Sequence, residues 1–103
     1  MAYEDITDMT MLRERIDALD ARLMALLVER SKLIDCAARI KARDHLPARI
    51  DSRIEEVDLL ARRRAADAGL SPDLAEALWR LMMEHFIAQE EAHLGGSDGG
   101  ATD

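Results

Sequence analysis

The 103-residue chain has few of the residues that interrupt helices or cross-link small domains. It contains one cysteine, two prolines and five glycines, and four of the glycines follow residue 94. A single cysteine excludes an intramolecular disulfide and is typical of a protein in a reducing cytoplasm. Because proline and glycine are so rare before residue 95, the composition favours long helices over a fold of strands and turns.

Aromatic residues, net positive charge and long apolar runs are also lacking. Only 3% of the residues are aromatic, so aliphatic side chains and methionines must form the core. The net charge of -7 argues against nucleic acid as a partner, although an acidic chain can hold a local cationic pocket for a small anion. No apolar run approaches the roughly 18 residues of a membrane span, and the first residues show no signal-peptide pattern. We therefore expect no membrane segment and a cytoplasmic protein.

Metal-binding and nucleophilic motifs are missing as well. Cys36 and three scattered histidines do not have the spacing of metal ligands. No Ser-His-Asp or Cys-His arrangement and no phosphate-binding loop is present. We expect neither a metal nor a cofactor, so any chemistry must depend on positive charges and hydrogen bonds.

What the chain does contain is a long apolar seam. Apolar residues recur at steps of four and three from Leu12 to Ile40, the spacing of a heptad repeat, with no break before Pro47. This pattern predicts a helix from about residue 9 to about residue 43, roughly 50 Å long at 1.5 Å per residue. A compact domain of this size is only about 35 Å across. We therefore expect a second copy of the chain to cover the seam, in a homodimer.

Two shorter helices are predicted after a loop at residues 44–51. Ser52 opens a capping-box pattern and begins the second helix, which Gly69 is placed to end. Ser71 as N-cap and Pro72 at the first helical position begin the third helix, which runs to about residue 93.

These patterns predict one all-α domain of three helices with a long first helix. The domain occupies residues 9–93. Residues 1–8 are largely polar and are predicted to be a flexible lead-in. Residues 94–103 are predicted to be a disordered tail, because "GGSDGGATD" is Gly- and Asp-rich and has nothing to bury.

Arg30 stands in the seam where an apolar residue is expected. Lys41 follows eleven residues later, which places both on one helical face about 16 Å apart, with room for a small dianion between their tips. Arg13 lies about 25 Å along the helix from Arg30, so it can serve the same pocket only from a partner subunit. Arg53, in the first turn of the second helix, is a further candidate donor.

Simpler interpretations of these charges stay open at this point. A lone arginine in a heptad seam often sets the register of the helices, or pairs with a buried glutamate such as Glu56 or Glu84. Arg13 and Lys41, taken singly, are typical of solvated surface residues.

The stretch "LRERIDALDARLMALLVERSKLIDCAARIK" closely resembles the first helix of the all-helical chorismate mutases and of the related isochorismate pyruvate lyases. The resemblance is strongest in "LRERIDALDARL", "LLVER" and the terminal lysine, and it covers about residues 9–93. It implies an intertwined dimer with a long shared first helix. It also implies two identical pockets for a small dianionic substrate, each containing an arginine from the other chain.

The resemblance also implies roles for individual cations. Arg13 matches the residue lent across the dimer to one substrate carboxylate, and Arg30 matches the arginine that holds the other carboxylate. Lys41 matches the lysine that donates to the ether oxygen of the substrate. Arg53 matches the arginine that the second helix contributes to the site.

Three positions depart from the mutase pattern. Ile54 stands where mutases usually carry a glutamate that holds the ring hydroxyl, and Phe86 replaces a pocket serine; in both respects the chain is more similar to the lyases. The family's pocket glutamine falls on Glu90, while Gln89 points about 100° away on the helix. Glu90 must be protonated to donate to the ether oxygen, and burial favours that form.

The function expected from the resemblance is that of a chorismate mutase in aromatic amino acid biosynthesis, an isomerase that rearranges chorismate to prephenate without a cofactor. The closest alternative is an isochorismate pyruvate lyase that forms salicylate and pyruvate, which Ile54 and Phe86 favour. A mutase acting on an amino-substituted chorismate is a third possibility. The alternative of another class is a non-catalytic helical dimer that has kept the frame and lost the site.

Overall fold

A computed structural model describes the backbone of residues 3–102 and the side chains of residues 3–94. Over that range the chain is helical and contains no strand. A short 3₁₀ turn at Tyr3–Asp5 precedes three helices, α1 (Met9–Arg43), α2 (Asp51–Ala68) and α3 (Pro72–Thr102). The predicted all-α fold with three helices and a long first helix is confirmed. The chain divides into two compact units, residues 1–33 and 34–103.

The N-terminal part of α1 makes up most of the first unit. Asp8 caps the helix, because its Oδ1 accepts a hydrogen bond of 2.8 Å from the Met11 N–H. Among the described residues nothing covers this part of the apolar seam, and the side chains of Leu19, Leu23 and Leu26 are between 54% and 62% exposed. Leucines at heptad spacing with this exposure are typical of a helix whose partner is another chain.

The C-terminal end of α1 is closed by a left-handed residue. The Leu46 N–H donates to the Lys41 carbonyl at 2.8 Å, and the His45 N–H donates to the Ala42 carbonyl at 3.4 Å. This pair of bonds forms a Schellman motif, with His45 at φ +58° in the position that glycine usually takes. The chain therefore turns back over the last turn of α1 before it enters the loop to α2.

Helix α2 does not begin with the predicted capping box. It starts at Asp51, with Ile50 at the N-cap position and no side-chain cap hydrogen bond. The Ile50 carbonyl accepts from the N–H groups of Arg53 and Ile54, at 3.0 and 3.1 Å. Ser52 therefore lies inside the first turn and not at the N-cap position, so the predicted capping role of Ser52 is wrong.

The turn between α2 and α3 agrees with the prediction. Gly69 ends α2 in the left-handed conformation, at φ +87°, which glycine adopts without a steric penalty. Ser71 then caps α3, because its Oγ accepts a hydrogen bond of 3.2 Å from the Leu74 N–H, and Pro72 is the first helical residue.

Helix α3 is longer than the sequence predicts. The third helix was expected to stop near residue 93 and to give way to a disordered tail, whereas α3 continues to Thr102. Each glycine disfavours a helix by about 1 kcal/mol relative to alanine, so local propensity does not explain this glycine-rich extension. Residues 1–2 and 103, which belong to the predicted lead-in and tail, lie outside the described residues.

Helices α2 and α3 pack against each other within the second unit. Ala61, Ala65 and Ala75 are buried, and such small side chains let two helices approach closely. Asp58 is also buried; its Oδ2 accepts a hydrogen bond of 2.7 Å from Arg80 Nε and lies 2.6 Å from Arg80 Nη2. This ion pair and the small residues fix how α3 is placed against α2, and with it the side chains that α3 presents to the end of α1.

Candidate active site

Lys41 is the centre of a polar cluster in the second unit. Its ammonium donates a hydrogen bond of 2.7 Å to the Ala48 carbonyl, in the loop that follows α1. The same nitrogen lies 3.1 Å from Oε2 and 3.4 Å from Oε1 of Glu90 on α3, and the contact with Oε1 has hydrogen-bond geometry. The side chains of Lys41 and Glu90 are 18% and 6% exposed. A helix end, a loop and a second helix thus meet at one partly buried Lys–Glu pair.

The cluster leaves a defined hydrogen-bonding capacity for a ligand. An ammonium group has three N–H donors, and the Ala48 carbonyl and Glu90 take two of them. The Oε2 atom of Glu90 is buried and has no hydrogen-bond partner among the described residues. Because each charge is removed from water, each depends on the other for compensation. The arrangement can therefore offer one ammonium N–H to an acceptor, and a second donor if Glu90 is protonated.

An apolar cluster lies beside these groups. It consists of Ala48, Ile54, Met83 and Ile87, all buried, and Ile54 is only 8% exposed. Ala48 belongs to both clusters, because its backbone carbonyl contacts Lys41 while its methyl group packs in the core. Ile54 therefore adds no polar group to this surface.

Phe86 lies apart from that apolar cluster, although it neighbours Ile87 in sequence. Its ring is half-buried and meets the ring of His85 edge to face, at a centroid distance of 5.1 Å. Gln89 is exposed, whereas the adjacent Glu90 is buried. Of these two neighbouring candidates, Glu90 is the one that contacts Lys41.

Arg30 has a buried donor without a protein acceptor. Its Nη1 atom is buried and makes no hydrogen bond within the described residues. The two glutamates considered as structural partners are engaged elsewhere, since Glu56 accepts from Arg53 and Glu84 accepts from Arg49. A buried guanidinium nitrogen without an acceptor carries a desolvation penalty, so the atom is suited to an anionic ligand.

The other two predicted cations are at the surface. Arg13 is exposed on α1 in the first unit. Arg53 is exposed on the first turn of α2 and pairs with Glu56 at 2.5 Å. An exposed pair of this kind contributes little to stability and is easily exchanged for another anion.

A second exposed ion pair fixes the loop that carries Ala48. Arg49 donates to both carboxylate oxygens of Glu84 on α3, a bidentate arrangement. The hydrogen bond from Arg49 lowers the pKa of Glu84 below its ordinary value. This bridge attaches the loop to α3 one residue beyond the carbonyl that contacts Lys41.

Sequence reasoning missed two features of this cluster, the Ala48 carbonyl and His45. The Ala48 carbonyl and the left-handed conformation of His45 are both backbone features, which no residue type specifies. The available signal was positional, because helices commonly end in a left-handed residue, and no glycine is present between Arg43 and Pro47 to take that position.

A cavity of about 290 Å³ borders Glu90 within the second unit, and its wall also includes Ile34, Ala38 and His93. Lys41 does not line it, so we assign the polar chemistry to the Lys41 cluster and not to this cavity.

Within the described residues, no group of three or more potential ligands could hold a metal ion. No described helix combines the length and apolar character that crossing a membrane requires.

Comparisons with known proteins identify one matching family and two relatives. A protein-family model described as chorismate mutase type II matches residues 12–91. The T-protein of Enterobacter agglomerans is 35% identical over 88 residues, which cover 84% of this chain and 23% of the T-protein. The T-protein of Haemophilus influenzae (strain ATCC 51907 / DSM 11121 / KW20 / Rd) is 36% identical over 81 residues, 77% of this chain and 21% of that protein. The chain spans less than a quarter of the length of these two relatives.

Proposed function

The chain belongs to the chorismate mutase type II family, and from this premise we propose that it converts chorismate to prephenate. The reaction is a pericyclic rearrangement within one molecule, in which the ether C–O bond breaks while a C–C bond forms. It transfers no group to the enzyme and needs no cofactor. A protein accelerates it by holding the flexible dianion in its reactive conformation and by stabilising the charge that develops on the ether oxygen.

The observation that carries this proposal is the meeting of Lys41 and Glu90. The two residues lie 49 positions apart in sequence and on different helices, and both are largely withdrawn from water. These are the two positions at which the family resemblance implies donors to the ether oxygen. In our proposal the third ammonium N–H of Lys41 donates to that oxygen, and Glu90 donates when it carries a proton.

Arginines hold the two substrate carboxylates in this proposal. Arg30 binds one of them, which gives its buried Nη1 an acceptor. Arg13 of a second chain binds the other, and Arg53 exchanges Glu56 for the substrate. Guanidinium groups suit these roles because they bind carboxylates through two parallel hydrogen bonds.

We propose that the active form is an intertwined homodimer in which α1 of each chain covers α1 of the other. The exposed leucines of the α1 seam support this assembly, because a helix that stayed alone would leave them in water. The dimer also supplies Arg13 to each pocket. We place the enzyme in the cytoplasm, in aromatic amino acid biosynthesis.

One observation favours a second activity, that of an isochorismate pyruvate lyase. Ile54 is buried in the apolar cluster, so its position offers no hydrogen bond to the ring hydroxyl of chorismate. A substrate with a different ring substituent, such as isochorismate or an amino-substituted chorismate, would not require that hydrogen bond. The lyase reaction would yield salicylate and pyruvate from the same cationic pocket.

Product analysis tests the proposal directly. The purified protein is incubated separately with chorismate and with isochorismate, and the products are followed by NMR. We expect prephenate from chorismate. Salicylate from isochorismate without prephenate from chorismate would replace the mutase proposal with the lyase.

A non-catalytic dimer is distinguished by its response to ligand. If the protein is a mutase, a transition-state analogue of the rearrangement should raise its melting temperature, because the analogue binds only the folded state. No thermal shift and no turnover of either substrate would favour the non-catalytic alternative.

A further inference from the structure

The loop after α1 contacts Lys41 twice. The backbone carbonyl of Lys41 accepts a hydrogen bond from the Leu46 N–H at 2.8 Å, and its ammonium donates to the Ala48 carbonyl at 2.7 Å. The first contact belongs to the Schellman motif that ends α1. The second fixes the direction in which the side chain extends. The main chain and the side chain of Lys41 are therefore held by residues only five and seven positions further on.

His45 determines how the loop leaves the helix. It is the only non-glycine residue with positive φ among the described residues, at +58°. The left-handed region is disfavoured for residues with a Cβ, although Asn, Asp and His enter it more often than the rest. A residue that left this region would redirect the chain three positions before Ala48.

We propose that His45 is a positioning residue for Lys41. Its left-handed backbone conformation directs the Ala48 carbonyl onto the ammonium group, so that one N–H of Lys41 stays aimed at the ligand. The imidazole ring takes no part in this role, which belongs to the backbone alone. This positioning of the Lys41 ammonium does not depend on the substrate, whereas its consequence for catalysis rests on the proposed function.

Two other contacts also hold the Ala48 segment in place. Ala48 is also held by its burial in the apolar cluster, and the next residue is bound to Glu84 through Arg49. If these contacts alone fix the carbonyl, the conformation of residue 45 will not matter to Lys41. The series of substitutions at His45 must therefore separate backbone preference from side-chain chemistry.

The series is His45→Gly, His45→Asn, His45→Ala and His45→Val, in falling order of tolerance for the left-handed region. The readout is the reactivity of lysine amines toward a limiting amount of an acetylating ester, measured by peptide mass spectrometry. The chain has only two lysines, and Lys32 is exposed, so it serves as an internal control. The ratio of Lys41 to Lys32 labelling reports how firmly the Lys41 ammonium is held.

We expect His45→Gly and His45→Asn to keep the wild-type labelling ratio. The ratio should rise in His45→Val by about five- to tenfold, the factor that corresponds to one net hydrogen bond, and by less in His45→Ala. In the same variants kcat should fall more than KM rises, because the Lys41 contact strengthens in the transition state. Circular dichroism establishes whether each variant is folded. If His45→Val does not fold, the labelling ratio of His45→Ala is compared with that of His45→Gly instead.

An unchanged ratio in the folded Val variant, or in Ala if Val does not fold, would overturn the inference in favour of the other anchors. Increased labelling of Lys41 in both His45→Gly and His45→Asn would also overturn it, because it would show that the imidazole ring is what holds Lys41. Labelling requires no substrate, so an absence of mutase activity would refute the proposed function without affecting this result.

Discussion

The sharpest test of the site is Glu90→Gln, which removes a charge and changes almost nothing in shape. In the wild-type protein the Glu90 carboxylate compensates the largely buried ammonium of Lys41. The glutamine carbonyl can still accept a hydrogen bond, so the loss is the difference between a charge-assisted and a neutral bond, about 1–2 kcal/mol. Glu90→Ala leaves the ammonium without that partner and should cost about 3–5 kcal/mol.

Although Glu90→Gln should lower stability, it should raise activity at high pH. The substrate is a dianion, and an ionised Glu90 repels it and cannot donate to the ether oxygen. Mutase activity that depends on this donor should therefore be lower at high pH than at low pH in the wild-type protein. Glutamine donates an N–H at every pH, so the fall should disappear in Glu90→Gln.

The assay is kcat/KM for chorismate between about pH 5 and pH 9, with thermal unfolding at one fixed protein concentration. Glu91→Gln is the matched control, because it removes the same charge one position away on the exposed side of α3. Its pH profile and stability should equal those of the wild type. A wild-type profile that is flat, or that is unchanged by Glu90→Gln, would show that Glu90 is not the donor.

Three further predictions follow from other contacts. Arg30→Ala should abolish turnover and leave the dimer folded by gel filtration and circular dichroism, and near wild-type activity would make Arg30 structural. Leu23→Glu should dissociate the dimer in analytical ultracentrifugation and remove activity, since it buries a charge in the seam; a stable active dimer would contradict the predicted interface. Because Arg49 lowers the pKa of Glu84, their bridge should stabilise the fold above about pH 4.5 and lose its effect as pH falls further, so Glu84→Gln should flatten the decline in melting temperature between about pH 5 and pH 3. An equal decline in both proteins would show that the bridge does not contribute.

The helices could be predicted because their signals are local. The limits of α1 followed from an uninterrupted heptad pattern, and the ends around Gly69 and Ser71 followed from residue types that have one main use. The start of α2 could not be predicted in this way. There the Ile50 carbonyl begins the helix, and a carbonyl is present at every position, so no residue type marks it.

The site shows the same distinction between features that residue types mark and features that the backbone path determines. The spacing pattern and the family resemblance indicated Lys41, the resemblance alone indicated Glu90, and the structure brings these two together. The Ala48 carbonyl and the left-handed His45 depend on the path of the backbone through the loop, which only the fold reveals. The place of Arg13 in a pocket stays a prediction, because it depends on a second chain.

The packing of α2 on α3 has a consequence for how the molecule forms. The buried alanines, the Asp58–Arg80 pair and the left-handed Gly69 complete a helical hairpin from residues close in sequence. Contacts of such short range form quickly and independently of concentration. The leucines of α1 have no such local partner among the residues that the structure describes, and in the proposed dimer a second chain must cover them. Assembly should therefore separate into a fast first-order step that builds the hairpin and a slower second-order step, so that newly made chains stay inactive until they meet.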